Sequence, residues 1–503
     1  MDKARYRKRN EIMLYGVLGI LFVSYLLLIF CANMQHINYK MNSDIGAEAV
    51  LGRLIWESGE IIPTSWISST ETRIIATPQI AALFYGLTGD MNLSLGLASC
   101  VMSGGIMVAI LIFMKKAGCR NSSSAVMCLL SLSLAGNITI LELLYLFASY
   151  YGIHVIAFFV VLSCYNILLR HGDAENTEKW KIVIKCIVSV LFAFLLGMQG
   201  TRGILITFGP LFGIEVIRLL YELFVRKSKK EPKIIPFIWS FVLLVVSYIG
   251  TKMPFATGQE ISRNIRNGFP KLFKVVLPDT GKAIGFREGY FLRNICLGIL
   301  VLYVLWQVLR LTIRIVRRQK VNSVEWCFLV VAASPVVTAA MVAFTTVESS
   351  ERYYFMWIFA MAFAVTLLWE QQRTKMISGV GFVVAVVIIV INLDTIYIPI
   401  VRAQEPTHSD ALEVVRYLEE NGYKEAYSTF ESANMMTALS DGKVNVYALN
   451  SFASMDMCQW LTSTDWYPLD GVADQSGTVY VVPDIRLAEL EQFAGVGGVA
   501  LRF

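Results

Sequence analysis

The 503-residue chain is 56% hydrophobic and 16% charged, with a net charge of +6 and a mean hydropathy of +0.57. An ordinary soluble domain is roughly 45–50% apolar, so the composition excludes a soluble globular protein and points to an integral membrane protein. The positive excess is what basic cytoplasmic loops supply and gives no reason to invoke nucleic acid; the nine cysteines, mostly inside apolar runs and without CxxC or Cys/His spacing, indicate neither a disulfide framework nor a zinc site.

A helix crossing lipid needs roughly 20 apolar residues, because every backbone polar group must be satisfied within the segment. The start of the chain joins a basic head to an apolar stretch of that length, longer than the ~7–15 residues of a signal-peptide core, and reads as a retained first span with a cytoplasmic N-terminus. Spans are predicted over 11–32, 92–114, 123–139, 148–169, 181–198, 203–225, 234–251, 290–312, 325–344, 353–370 and 377–395, about eleven in all. Charge supports this order. The loops placed inside, "KKAGCR", "RHGDAENTEKWK", "RKSKKEPK", "RIVRRQK" and "QQRTK", are each rich in Lys and Arg.

The first outer loop, 33–91, is too polar to span, yet "AEAVLGRLIWESG" and "PQIAALFYGL" suit helices lying at the interface. A second outer loop, 252–289, is strongly basic against the usual bias, as an anionic group at the outer surface would explain; Lys271, Lys274 and Lys282 could attract anionic lipid heads. Beyond residue 395 the long apolar runs stop. "HSDALEVVRYLEENGY" reads as an amphipathic helix with Ser409 as N-cap and Gly422 as stop, and "EAYSTF", "KVNVYAL" and "TVYVVP" read as strands. The expected organisation is a transmembrane module over 1–395 and a small extracytoplasmic α/β domain over 396–503.

Asp44 and Glu48 in "MNSDIGAEAV" are spaced i, i+4, so a helix there puts both carboxylates on one face, close enough to raise one another's pKa or to share a cation. A base at that place could take a proton from an acceptor hydroxyl. The plainer alternative is two solvated acids in a loop. Further on come Glu71 and Arg73, Glu142 in "NITILELLYLF", and His154 in "SYYGIHVIAFF", for which a packing role is the alternative to function. Asn137 opens a formal glycosylation sequon, a weak match. No Walker loop, Rossmann fingerprint or HExxH occurs.

The segments "NSDIGAEAVLGRLIWESGEIIPTSWISSTETRI", "MQGTRG" and "ESSERYYFMW" resemble bacterial members of the GT-C superfamily of polyprenyl-phosphate-dependent glycosyltransferases, relatives of protein mannosyltransferases and aminoarabinose transferases. The resemblance covers about 11–395. It implies a GT-C-like polytopic α-helical fold and gives Asp44 the catalytic or metal-linked carboxylate; Glu48 departs from the adjacent acidic pair of some relatives. By the same resemblance Glu142 is the available second acid, and a divalent cation, Mg2+ or Mn2+, on Asp44 and Glu142 is one option. The donor is expected to be a sugar on a polyprenyl phosphate. Arginine suits its leaving phosphate through bidentate, charge-assisted bonds, which makes Arg73, Arg202 and Arg352 the candidates, with Tyr353, Tyr354 and His154 beside them; a snorkelling role is the alternative for the arginines. The expected partners are the lipid-linked donor, a glycan, lipid or protein acceptor and membrane lipids, in a bacterial plasma membrane with inverting transfer. The competing readings are a transporter or flippase, which needs charges within the spans, and a polysaccharide polymerase.

Overall fold

The computed structural model describes residues 2–35, 37, 40–170, 179–225, 233–253, 263–371, 375–403, 408–467 and 479–497. Much of the basic loops, and residues 254–262 of the second long loop, lie outside them. The chain divides into two compact units, one of Met1–Ile29, Met102–Tyr145 and Ser149–Pro399, the other of Phe30–Val101, Leu146–Ala148 and Ile400–Phe503.

Among the described residues nine helices are long and apolar enough to cross a membrane: Gly16–Met34, Met91–Ala117, Gly152–Arg170, Trp180–Gln199, Ile204–Phe224, Phe291–Val316, Ser323–Ala343, Glu351–Glu370 and Gly379–Arg402. Their exposed faces are apolar. On one helix Trp180, Val183, Ile184, Ile187 and Leu191 form an outward stripe at helical spacing. Such a surface is an aggregation hazard in water and the normal outer face of a helix in lipid. The protein is a multi-pass helical membrane protein.

Two of the eleven expected spans fall short of that length. The Ile235–Gly250 helix has 16 residues, about 24 Å at 1.5 Å per residue. It lies tightly against the Trp180–Gln199 span: a Cβ on Gly197 would sit 2.1 Å from the Ser247 carbonyl oxygen, and one on Gly250 would sit 2.6 Å from that of Phe194. The expected span over 123–139 is instead a 13-residue helix, Asn121–Ser133, and a seven-residue one, Ile138–Leu144. The reason is tertiary. The orphan carbonyls at the end of the first helix are taken by side chains from elsewhere, Tyr145 Oη on Ser131 (3.0 Å), Tyr397 Oη on Leu132 (2.5 Å) and Asn392 Nδ2 on Ser133 (2.8 Å). Asn137 Oδ1 then accepts from Thr139 N at 2.9 Å and starts the second helix.

The second unit is α/β and draws on the first long loop as well as the C-terminal segment. Glu425–Thr429 and Asn445–Leu449 pair in parallel, Glu425 opposite Asn445, with the Phe430–Leu439 helix between them in sequence. The expected third strand is reduced to a bridge, Tyr480 beside Tyr427. Alternation sorts the strand side chains: Ala426, Val446 and Ala448 pack with Val415, Leu418 and Met436, while Tyr427, Tyr447 and Leu449 pack with Phe452 and Met455. The expected amphipathic helix runs Ser409–Glu420, with His408 rather than Ser409 at the N-cap position, and Gly422 at φ +74° follows it.

The first-loop helix, Ser43–Ser58, packs on the Phe430–Leu439 helix with backbones in contact: a Cβ on Gly46 would lie 2.4 Å from the Asn434 carbonyl oxygen. Ser43 Oγ donates to the Phe430 carbonyl. Arg53 Nη1 reaches Asn445 Oδ1 (3.0 Å), Asn92 Nδ2 donates to the Ala438 carbonyl (2.7 Å), and Trp66–Ile67 pairs antiparallel with Thr462–Ser463.

Candidate functional site

The Ser43–Ser58 helix begins where Asn42 Oδ1 accepts from Ile45 N at 2.8 Å and stops at Gly59, φ +71°, whose N–H closes on Ile55. Asp44 stands in its first turn, half-buried. Glu48 is one turn on and 3% exposed. Facing it from the following segment, Arg73 places Nε 2.7 Å from Glu48 Oε1 and Nη1 3.3 Å from Glu71 Oε2. Arg73 is itself fixed through its backbone, since Gln79 Nε2 donates to its carbonyl at 2.8 Å and Gln79 Oε1 accepts from Ala76 N at 3.0 Å. Glu48 Oε2 is buried and without a hydrogen-bond partner among the described residues.

Two carboxylates, Glu48 and Glu71, therefore share one guanidinium, and Asp44 stands close enough to Glu48 for their charges to interact. Burial pushes the Glu48 carboxyl above its ordinary range; Arg73 pulls the other way, while Asp44 and Glu71 add to the rise. The cluster can hold or pass on a proton. Arg73, expected among the phosphate-binding arginines, here spends two of its donors on the acids.

The remaining expected residues lie in the first unit. Arg202, in the turn between two spans, has its guanidinium carbon 3.6 Å from the centre of the Tyr151 ring and 5.4 Å from that of Tyr353. His154 is 2% exposed and meets the Tyr151 ring edge-on at 6.0 Å, and Phe355 stands against that ring at 5.7 Å. Arg352 and Tyr353 belong to a single 3-10 turn, Glu351–Tyr354, opened by Ser350, whose side chain accepts from Arg352 N. Asn137 Nδ2 donates to Glu351 Oε2 at 2.9 Å, which ties that turn to the start of the Ile138–Leu144 helix and gives Asn137 a structural role. Glu142 is on that helix, 2% exposed.

Among the described residues no three Asp, Glu, His or Cys side chains are grouped to hold a metal ion.

Solved structures similar to this chain include the Archaeoglobus fulgidus oligosaccharyltransferase tethered to an acceptor peptide with the NVT sequon, at 11% identity and a TM-score of 0.46. They also include ArnT from Cupriavidus metallidurans, in the apo state at 15% identity and TM-score 0.43, and bound to undecaprenyl phosphate at 14% and 0.42. The alignments cover 90% of this chain and 64% of the archaeal protein, 86% of both chains for apo ArnT, and 87% of both for the bound form. No protein-family profile and no curated protein matches the chain.

Sequence reasoning passed over Tyr151, the ring on which Arg202 lies, and Gln79, which fixes Arg73. The signal for Tyr151 was present: "SYYG" puts adjacent aromatics at the end of a span, where tyrosines collect as belt residues and so attract little notice. Gln79 carried no signal, because its partners are backbone atoms.

Proposed function

We propose that the protein is a membrane glycosyltransferase that moves a sugar from a polyprenyl-phosphate carrier to a hydroxyl-bearing acceptor on the outer face of the membrane. The observation that carries this reading is the acid cluster of the first long loop, with the half-buried Asp44 one helical turn from a buried Glu48 of raised proton affinity. Carboxylates so tuned are the usual instruments of proton transfer near neutral pH.

Asp44 takes the proton of the acceptor hydroxyl as its oxygen forms the bond to the anomeric carbon. The bond from that carbon to the phosphate oxygen breaks, and its electron pair leaves with the lipid phosphate; one displacement inverts the configuration. Glu48, held by Arg73, receives the proton from Asp44 and returns it to solvent. The charge growing on the leaving phosphate needs preorganised donors, and the resemblance read from the sequence assigns that role to Arg202 and Arg352, whose guanidinium groups suit a phosphate. Tyr151 and Tyr353 keep the Arg202 guanidinium in place through their ring faces.

One observation favours transport. Glu215 and Arg218, at 0% and 1% exposure, lie within the Ile204–Phe224 span, where the sequence reading left almost no charge. The pair is nonetheless closed on itself: Arg218 meets Glu215 through Nε at 2.6 Å and Nη2 at 2.7 Å and Glu222 through Nη1 at 2.9 Å, and Tyr165 donates to Glu215. A charge pair held bidentate and flanked by a further acid and a tyrosine suits a structural strut better than a moving substrate site.

The deciding experiment is mass spectrometry of polyprenyl-phosphate lipids from the native host carrying wild type or Asp44→Asn at matched expression. Accumulation of one polyprenyl-phosphate sugar in the variant is expected, and its mass gives the sugar class. An unchanged lipid pool, with the variant folded and the pathway active, would overturn the assignment of Asp44.

A further inference from the structure

A second polar site lies in the first unit, apart from the residues given roles above. The segment after residue 262 is clamped onto the loop that follows the Ser323–Ala343 helix. Arg263 and Thr345 form an antiparallel bridge, and Asn264 N donates to the Phe344 carbonyl at 2.9 Å. Gly268 is pressed under the Phe344 ring, and Phe269 meets that ring edge-on at 5.3 Å. Lys271 Nζ donates to the carbonyls of Thr345, at 2.9 Å, and Val347. Four residues apart, Ile265, Phe269, Phe273 and Leu277 are exposed, the stripe expected of a segment lying along lipid.

Between the clamped pieces is a cavity of about 470 Å³ lined by Asn264, Lys271, Thr345, Thr346, Glu348 and Ser349, with Val275 its one apolar contribution. The volume is that of an ordinary small-molecule site, roughly 300–1,000 Å³, and six of its seven lining side chains carry polar groups set among apolar atoms. Its charged groups are one ammonium and one carboxylate, which oppose each other, so neither an anion nor a cation is favoured. What remains is an array of donors and acceptors: an amide, an ammonium with one N–H beyond its two carbonyl bonds, a carboxylate that can accept from two adjacent hydroxyls, and the hydroxyl oxygens of Thr345 and Ser349, which accept while the Thr345 O–H is given to the Met341 carbonyl. Vicinal diols of an uncharged sugar match that array. The cavity is also linked to the Arg352 turn, because Ser349 Oγ and Tyr354 Oη are hydrogen-bonded at 2.9 Å.

We propose that this cavity is a binding subsite for an uncharged pyranose, bound through Glu348, Asn264 and Lys271. The assignment of the subsite stands on its own lining; only the choice between donor sugar and acceptor sugar rests on the transferase reading.

The test uses the full chain in phosphatidylglycerol and phosphatidylcholine nanodiscs, free of glycoside detergent, with methyl glucoside, methyl mannoside and methyl galactoside as probes in saturation-transfer NMR and inorganic phosphate as the anionic control. At least one pyranoside binds saturably, and Glu348→Gln and Asn264→Ala each weaken it by about tenfold, the cost of one lost hydrogen-bonding partner. Glu348 is exposed and outside the Lys271 clamp, so its substitution leaves the fold in place. No saturable pyranoside binding, binding unchanged in both variants, or preference for phosphate overturns the subsite. If pyranoside binds but no lipid-linked sugar is consumed, the subsite survives and the transferase reading fails. If transfer occurs, a raised KM for the donor in Glu348→Gln makes the sugar the donor's, and a raised KM for the acceptor makes it the acceptor's.

Discussion

Replacing Arg73 by Met removes the only guanidinium bonded to a carboxylate that is 3% exposed and already has one oxygen without a partner among the described residues. Leaving a buried charge unpaired costs about 3–5 kcal/mol, but a carboxyl has a way out, because it can take a proton. From its ordinary pKa of 4.5, protonation at pH 7 costs about 3.4 kcal/mol at 1.36 kcal/mol per unit, which caps the loss. The expected destabilisation of the Ser43–Ser58 helix is therefore at most about 3 kcal/mol at pH 7, less what the raised wild-type carboxyl already costs, and under about 1 kcal/mol at pH 5. The sign follows from the raised folded pKa: stability is full below the unfolded value and is lost as pH rises from there towards the folded one. Amide hydrogen exchange of residues 45–58 in nanodiscs reads this as opening faster by up to about a hundredfold at pH 7, shrinking to a few-fold or less at pH 5 once the intrinsic exchange rate is divided out. Glu48→Gln in the same chain should restore most of the protection. A loss that is the same at both pH values, or one that Glu48→Gln fails to rescue, would refute the reasoning.

Gly46→Ala places a Cβ 2.4 Å from the Asn434 carbonyl oxygen, and backbone cannot move aside as a side chain can, so the Ser43–Ser58 helix should lose about 1–3 kcal/mol, read by the same exchange experiment. Arg218→Met leaves Glu215 buried without its bidentate partner and should cost about 3 kcal/mol in thermal unfolding, whereas Glu215→Leu with Arg218→Leu should cost less than Arg218→Met alone. Arg202→Lys keeps the charge but gives up the planar group seated on Tyr151 and Tyr353; in a transfer assay it should raise KM for the lipid donor by about tenfold or more, and unchanged kinetics would remove Arg202 from phosphate binding.

Much of the architecture was legible because lipid is a demanding solvent. Nine of the predicted spans correspond to apolar helices long enough to cross, since segments such as Phe291–Val316 have no other way to satisfy their backbone. The helix over "SDIGAEAVLGRL" was suggested by the i, i+4 spacing of its two acids, and the structure supplied its cap at Asn42 and its stop at Gly59. The break at 134–137 was not. A hydropathy window reads "LAGN" as the tail of a span, and what ends the helix there is Tyr145, Asn392 and Tyr397 reaching its carbonyls from up to 265 residues away.

The site divides in the same manner. The pairing of Asp44 with Glu48 is a property of the α-helical repeat, and the sequence alone determined it once Asn42 started a helix. That Arg73 occupies Glu48, that Arg202 lies on Tyr151, and that the loop helix shares a unit with the C-terminal strands were decided only by the tertiary structure. Local pattern records what each segment needs, an apolar solvent, a cap or a shared face. It does not record which distant side chain meets that need, because a guanidinium donates to a carboxylate or a phosphate with equal chemistry, and only the packing of the chain brings one of them within reach.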